Sequence, residues 1–199
     1  MIALWRRLEN HLQQTFPAAL RSLNPPATEE QLARAERMLG FALPEDIKQL
    51  LLVHDGQLQE TGRPPHTVPL IPSTEAATWG EFAPLDLIVH SSNSYNATDW
   101  SEQLEHYEFD GPVCRDPALR MLVFVDAGSG DVLAMDLNPP PEGEYAQVVA
   151  INHDPPQLIV RSPSLRDWFE ELVARYESGR YVIGDIDGVP AAIDRNEQN

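Results

Sequence analysis

Residues 25–56, PPATEEQLARAERMLGFALPEDIKQLLLVHDG, leave the chain few choices. Thr28 followed three residues later by Gln31 is a capping box, in which each side chain satisfies the other's unpaired backbone N–H, so a helix is expected to start here. Leu32, Ala35, Met38 and Leu39 recur at helical spacing. Gly40 can take the left-handed conformation that ends a helix without steric cost. The elbow is Phe41 to Leu43. Pro44 suits the first turn of a second helix, because its missing N–H would lack an intrahelical partner anyway. Ile47, Leu50 and Leu51 give that helix its apolar stripe until Asp55 and Gly56 stop it.

Around this pair the pattern is that of a mixed protein. Leu4, Leu8, Leu12 and Phe16 mark one face of an amino-terminal helix, residues 1–16, which Pro17 ends. Glycine, prolines and polar residues make 57–72 a loop or irregular edge, with 67–71 its one strand candidate. The apolar run Leu85, Leu87, Ile88 and Val89 predicts a strand over 82–90, followed by a polar loop over 91–96. Thr98 can cap a short helix over 99–107, on which Trp100, Leu104 and Tyr107 fall at compatible spacing.

The second half alternates as a sheet does. Residues 121–125 and 132–135 are apolar runs on either side of a glycine-bearing polar turn, the signature of a hairpin. After Asn138 three consecutive prolines forbid a continuing strand, and 146–151 with 157–160 make a second pair. Ser164 and Asp167 resemble a cap for a last helix whose stripe is Leu165, Trp168, Phe169, Leu172, Val173 and Tyr176, a core face; Gly179 ends it. Residues 184–199 read as an acidic, mobile tail, since beyond about 189 they offer little large apolar surface.

At 199 residues, one domain with tails is the default. The 18 prolines, nearly twice the usual ~5 %, imply stiff loops. No run approaches the roughly 20 apolar residues that span a bilayer, and the amino terminus lacks an apolar export segment, which together with a lone cysteine, Cys114, points to the cytoplasm. The formal net charge of −17, from 31 acidic and 14 basic residues, repels nucleic acid and anionic membranes and attracts basic partners.

Chemical motifs are scarce. Gly128, Ser129 and Gly130 lack the outer glycines of a nucleophile elbow. Asp126, Asp131 and Asp136 offer oxygen ligands without calcium-loop spacing, so neither metal nor cofactor is expected. His54 and His153 each precede an aspartate at a turn, which favours turn capping over proton transfer. One segment mixes aromatics with acids: Trp100, Glu102, Glu105, Tyr107, Glu108 and Asp110 form a candidate anchor for a basic partner, through aromatic contact and charge steering.

The acid-rich first helix, the elbow FALPEDIKQLL and the ending HDG resemble the amino-terminal signature of the SUKH superfamily, which includes the Smi/Knr-type cell-wall-assembly regulators. Gly130, Asp131, Met135, Asp136, Leu137, Asn138 and Pro139, then Ala146, Gln147, Val148 and Val149, then His153 and Asp154, match further family motifs ahead of the helix SPSLRDWFEELV. Ala146 stands where the family commonly has glycine, and the tryptophan usual before the hairpin is not evident around 114–119. The resemblance covers most of 25–183 and implies a single α+β domain over 1–183, with helices packed on one side of a mainly antiparallel sheet. It implies a non-enzymatic protein binder: first an immunity protein neutralising a basic toxin domain, alternatively a regulatory interaction scaffold. A hydrolase is the third reading.

Overall fold

The computed structural model describes residues 1–57, 68–76, 80–126, 130–186 and 188–198. The loop expected from Gln57 and the start of its strand candidate lie largely outside these residues, as does the tip of the predicted hairpin turn.

Helix α1 (Ile2–Thr15) buries Leu4, Trp5, Leu8 and Leu12. Helix α2 (Glu29–Leu39) opens on the expected capping box, with the Gln31 N–H donating to Thr28 Oγ1 at 3.2 Å and the Thr28 N–H to Gln31 Oε1 at 2.7 Å. It closes on Gly40 at φ 76°. Its buried stripe is Leu32 and Ala35; Met38 points outward, 53 % exposed. Glu36 fixes the elbow by accepting from the Leu43 N–H at 3.0 Å and pairing with Lys48 at 2.6 Å, and this lysine lowers the Glu36 pKa. Pro44 is the N-cap of helix α3 (Glu45–Leu51), just ahead of its first turn.

The one-turn helix α4 (Ser73–Ala76) precedes helix α5 (Leu85–Ala97), where sequence predicted a strand and a loop. Leu85, Ile88, Val89 and Ser92 are buried at helical spacing, so the short apolar run was one face of a helix. The cap comes from thirty residues away: Asp55 Oδ1 accepts the Leu85 N–H at 2.7 Å. The helix expected over 99–107 reduces to a turn and a 3₁₀ segment at Leu104–His106.

The sheet runs in the order β1 (Glu108–Asp110), β5 (Pro156–Ser162), β4 (Gln147–His153), β3 (Val132–Asp136), β2 (Met121–Asp126). Only the β1–β5 pairing is parallel. On one face Leu122, Phe124, Leu133, Met135, Val148 and Ala150 pack with the helices, including Trp168, Phe169, Leu172 and Val173 of helix α6 (Leu165–Glu177). On the other, Val123, Ala134, Val149, Ile151 and Leu158 meet Trp100, Leu104, Val113, Cys114 and Leu119. Both faces are dry, which is why the strands read as continuous apolar runs. The fold is α+β.

Helix α5 also closes an edge of the sheet. The Met121 N–H donates to Asn96 Oδ1 at 2.8 Å while Asn96 Nδ2 donates to the Met121 carbonyl at 3.0 Å, so one side chain imitates a neighbouring strand. The Val123 N–H donates to Ser92 Oγ at 3.0 Å, and the Phe124 carbonyl accepts from the Ala83 N–H at 2.9 Å. An edge strand that is covered and satisfied in this way offers no template for another chain.

The stretch read as a mobile tail pairs instead. Strands β6 (Tyr181–Ile186) and β7 (Val189–Asp194) form a second, two-stranded sheet. Tyr181 and Ala192 are fully buried, the Ala192 N–H donates to the Pro69 carbonyl, and the buried Asp194 carboxylate takes Arg180 with contacts of 3.0 and 2.7 Å to Oδ2. Small residues and one ion pair supply what the shortage of large apolar side chains concealed. Glu75 ties this hairpin to α6, bonded within the interior to Trp168 Nε1, the Tyr181 hydroxyl and Arg175. Among the described residues no helix is long and apolar enough to cross a membrane.

Candidate partner-binding site

The residues that resemble family motifs are mostly spent on architecture. Both His54 ring nitrogens face oxygen acceptors, the Asn24 carbonyl at 2.9 Å and Glu9 Oε1 at 2.8 Å, which joins α1 to the turn after α3. Gly56, at φ 65°, passes so close to Ala83 that a Cβ would lie 2.5 Å from its carbonyl carbon. Asp131 accepts the His153 N–H at 2.7 Å across the hairpins. Asp136, fully buried, accepts the N–H groups of Cys114 at 2.9 Å and Asn138 at 3.0 Å. Burial raises its pKa above the ordinary carboxylate value, against the lowering effect of those bonds. Asp131 and Asp136 sit at opposite ends of β3, about 17 Å apart at ~3.4 Å per residue, so the three aspartates do not converge on a cation.

Ala146 has φ 63°, the left-handed conformation that L-residues avoid. That geometry explains the glycine for which it substitutes. Its N–H donates to the Asp136 carbonyl, and Gln147 beside it donates to the Pro112 carbonyl at 2.6 Å, so the position is held from both sides.

One concavity is built differently. Beyond the sheet face opposite α6, Tyr95, Trp100 and Tyr107 wall a groove of about 450 Å³. Tyr95 stacks on Trp100 with centroids 5.4 Å apart and planes at 20°, and Tyr107 meets the indole edge-on at 6.2 Å. The floor has its own hydrogen bonds: Trp100 Nε1 donates to the Tyr95 carbonyl at 2.9 Å and the Tyr95 hydroxyl to the Gly130 carbonyl at 2.9 Å. Gln103, His106 and His153 complete the rim. Burial pushes both phenol pKa values up, and the negative charge of Asp131 adds to the effect at each.

Of the six residues singled out from sequence, Trp100 and Tyr107 meet in this groove. Glu102 and Glu105 are exposed on the adjoining turn, and neither lines it. Glu108 and Asp110 lie on β1, where Phe109 between them packs towards the groove side of the sheet, so these two acids project to the other face; Glu108 accepts from Gln157 Nε2 at 3.2 Å. Sequence reasoning misses Tyr95, which lies in the stretch 91–96 that reads as a polar loop, and His153, which reads as a turn cap. The spacing Ser92 to Tyr95, continuing the helical stripe from Leu85, was the available signal.

Charge is unevenly shared. From Pro64 to Val160 there are fifteen carboxylates and two basic residues, Arg115 and Arg120, whereas the rest of the chain has sixteen carboxylates and twelve lysines and arginines. The first stretch contributes −13 of the −17, and it carries the groove, its turn and the sheet short of Arg161 and Ser162 on β5; α1, α2, α3 and α6 carry seven of the fourteen basic residues. Among the described residues no cluster of three or more His, Cys, Asp or Glu side chains is disposed to hold a metal ion.

Residues 26–171 match the SMI1 / KNR4 family (SUKH-1). A Schizosaccharomyces pombe protein described as a cell wall biosynthesis/cell cycle regulator, smi1, is 23 % identical over 194 residues, covering 92 % of this chain; the chain spans 37 % of that protein's length. With the capped helical pair, the Asp136 network and the left-handed residue ahead of Gln147 all in the places where the family motifs fall, the chain belongs to the SMI1 / KNR4 (SUKH-1) family.

Proposed function

We propose that this chain is a non-enzymatic protein-binding module that docks a basic partner on the acidic side of its sheet, next to the turn carrying Trp100, Glu102, Glu105 and Tyr107. The observation that carries this reading is an aromatic groove with the exposed acids Glu102 and Glu105 on the turn beside it, within a stretch, 64–160, that holds −13 of the net charge. Interfaces favour aromatic anchors, and a field of one sign steers an oppositely charged partner into register. The acids that resemble family motifs are committed to backbone N–H groups, as at Asp55, Asp131 and Asp136, which favours a binder over a hydrolase.

On charge, the partner is a basic toxin domain and the chain its immunity protein. A second reading, a regulatory interaction scaffold, is favoured by the description of the fission-yeast relative. Affinity capture from the native cell, with identification of stoichiometric partners, separates them: a basic toxin domain supports immunity, and a cell-wall or cell-cycle protein supports the scaffold. Capture repeated with Glu102 and Glu105, the acids exposed on the turn beside the groove, both changed to glutamine should lose most of that partner. Undiminished recovery would remove this face from the interface.

A further inference from the structure

We propose that the groove between Tyr95, Trp100 and Tyr107 is a socket for one arginine side chain, presented by an extended segment of the protein partner. The inference rests on the docking reading above and gives the anchor its chemistry.

Three features of the groove select this occupant. Its walls are aromatic, and the polar atoms of Tyr95 and Trp100 are already bonded inside the protein, so what these two offer an incoming group is π surface, with the Tyr107 ring set edge-on beside them. A cation over such a surface is attracted by the ring quadrupole, and a planar, weakly hydrated guanidinium stacks there better than an ammonium. The field is negative: Asp126 and Asp131 act on the Tyr95 phenol, Asp131 on that of Tyr107, and among the described residues no lysine or arginine lines the space. An acidic or neutral occupant would gain nothing from that field.

The groove also has acceptors. The Gly130 carbonyl receives the Tyr95 hydroxyl and keeps a second lone pair, and Gln103 contributes an amide oxygen. A guanidinium has five donors in a plane and can use both while stacked. The volume of about 450 Å³ exceeds the needs of a single side chain and leaves room for the flanking backbone.

The test uses the full isotopically labelled chain and a capped heptapeptide with one central arginine among glycines and serines, followed by the shift of the Trp100 indole N–H. Saturable shifts confined to the groove are expected, with binding about tenfold weaker when citrulline, of the same shape without the charge, replaces arginine. Gln103→Arg sits on the rim, leaves the aromatic floor in place, and should weaken the arginine peptide by a similar factor. Equal binding of the citrulline peptide, shifts elsewhere on the surface, or no shifts at millimolar peptide would each overturn the socket. If the peptide fails while the natural partner still depends on Glu102 and Glu105, the docking face stands and its anchor is not this groove.

Discussion

A single β-carbon at Ala146 carries a cost that the surrounding network absorbs. An L-residue in the left-handed region is strained by about 1–2 kcal/mol, and the glycine that would relieve it gives back part of the gain through the greater freedom of the unfolded chain. Ala146→Gly is therefore expected to stabilise the protein by about 0.5–1 kcal/mol, read as a higher midpoint in urea denaturation at unchanged slope. Asp194 shows the electrostatic counterpart. Hydrogen bonding to Arg180 holds its folded pKa below the unfolded value, so the stability it contributes is fully present above that unfolded value of 3.8 and is lost as pH falls through the folded pKa. Asp194→Asn should cost about 2 kcal/mol at neutral pH through the weakened charged hydrogen bonds. The gap from wild type should narrow below pH 4, as followed by thermal melts from pH 2 to 7. A gap constant across that range would mean that packing, not charge, sets the cost.

At the level of elements, local signals predicted local structure well and failed where the partner was distant. The capping box at Thr28, the stop at Gly40 and the stripe of α6 were legible because each is complete within a few residues. Helix α5 was not: its cap is Asp55 and its serines and asparagine, poor helix formers in isolation, serve the edge of β2. Asn96→Ala should therefore do more than remove a polar side chain. It strands the buried Met121 N–H and carbonyl, at about 2 kcal/mol or more, and should speed amide exchange along β2 before the rest of the sheet. The carboxy-terminal hairpin was concealed for a related reason, since its burial comes from Tyr181, Ala192 and an ion pair and not from a run of large side chains. Removing residues 189–199 exposes Tyr181 and breaks the bond to Pro69, so the melting temperature should fall by roughly 6–12 °C, an estimate for about 3 kcal/mol in a chain of this size. A melting temperature within a degree of wild type would show that the hairpin contributes nothing to the fold.

On the scale of the molecule, the sheet divides two environments. One side holds the aromatic interior under α1 and α6; the other holds a smaller apolar cluster beneath a turn on which Glu102 and Glu105 are exposed. The total charge was plain from sequence, as were Trp100 and Tyr107; that Glu102 and Glu105 stay beside the groove while Glu108 and Asp110 turn to the other face required the topology, because strands from 108 to 162 had first to be placed in one sheet. The central claim is that this acidic side steers a basic partner, and the association rate tests it most directly. As the Debye length shrinks from about 10 Å at 0.1 M to 3 Å at 1 M salt, the rate should fall steeply for wild type, with dissociation changing far less. Stopped-flow association of the captured partner against ionic strength, for wild type and for the Glu102 and Glu105 to glutamine double variant, is expected to give a slower rate and a flatter salt dependence for the variant; a wild-type rate indifferent to salt would contradict the account.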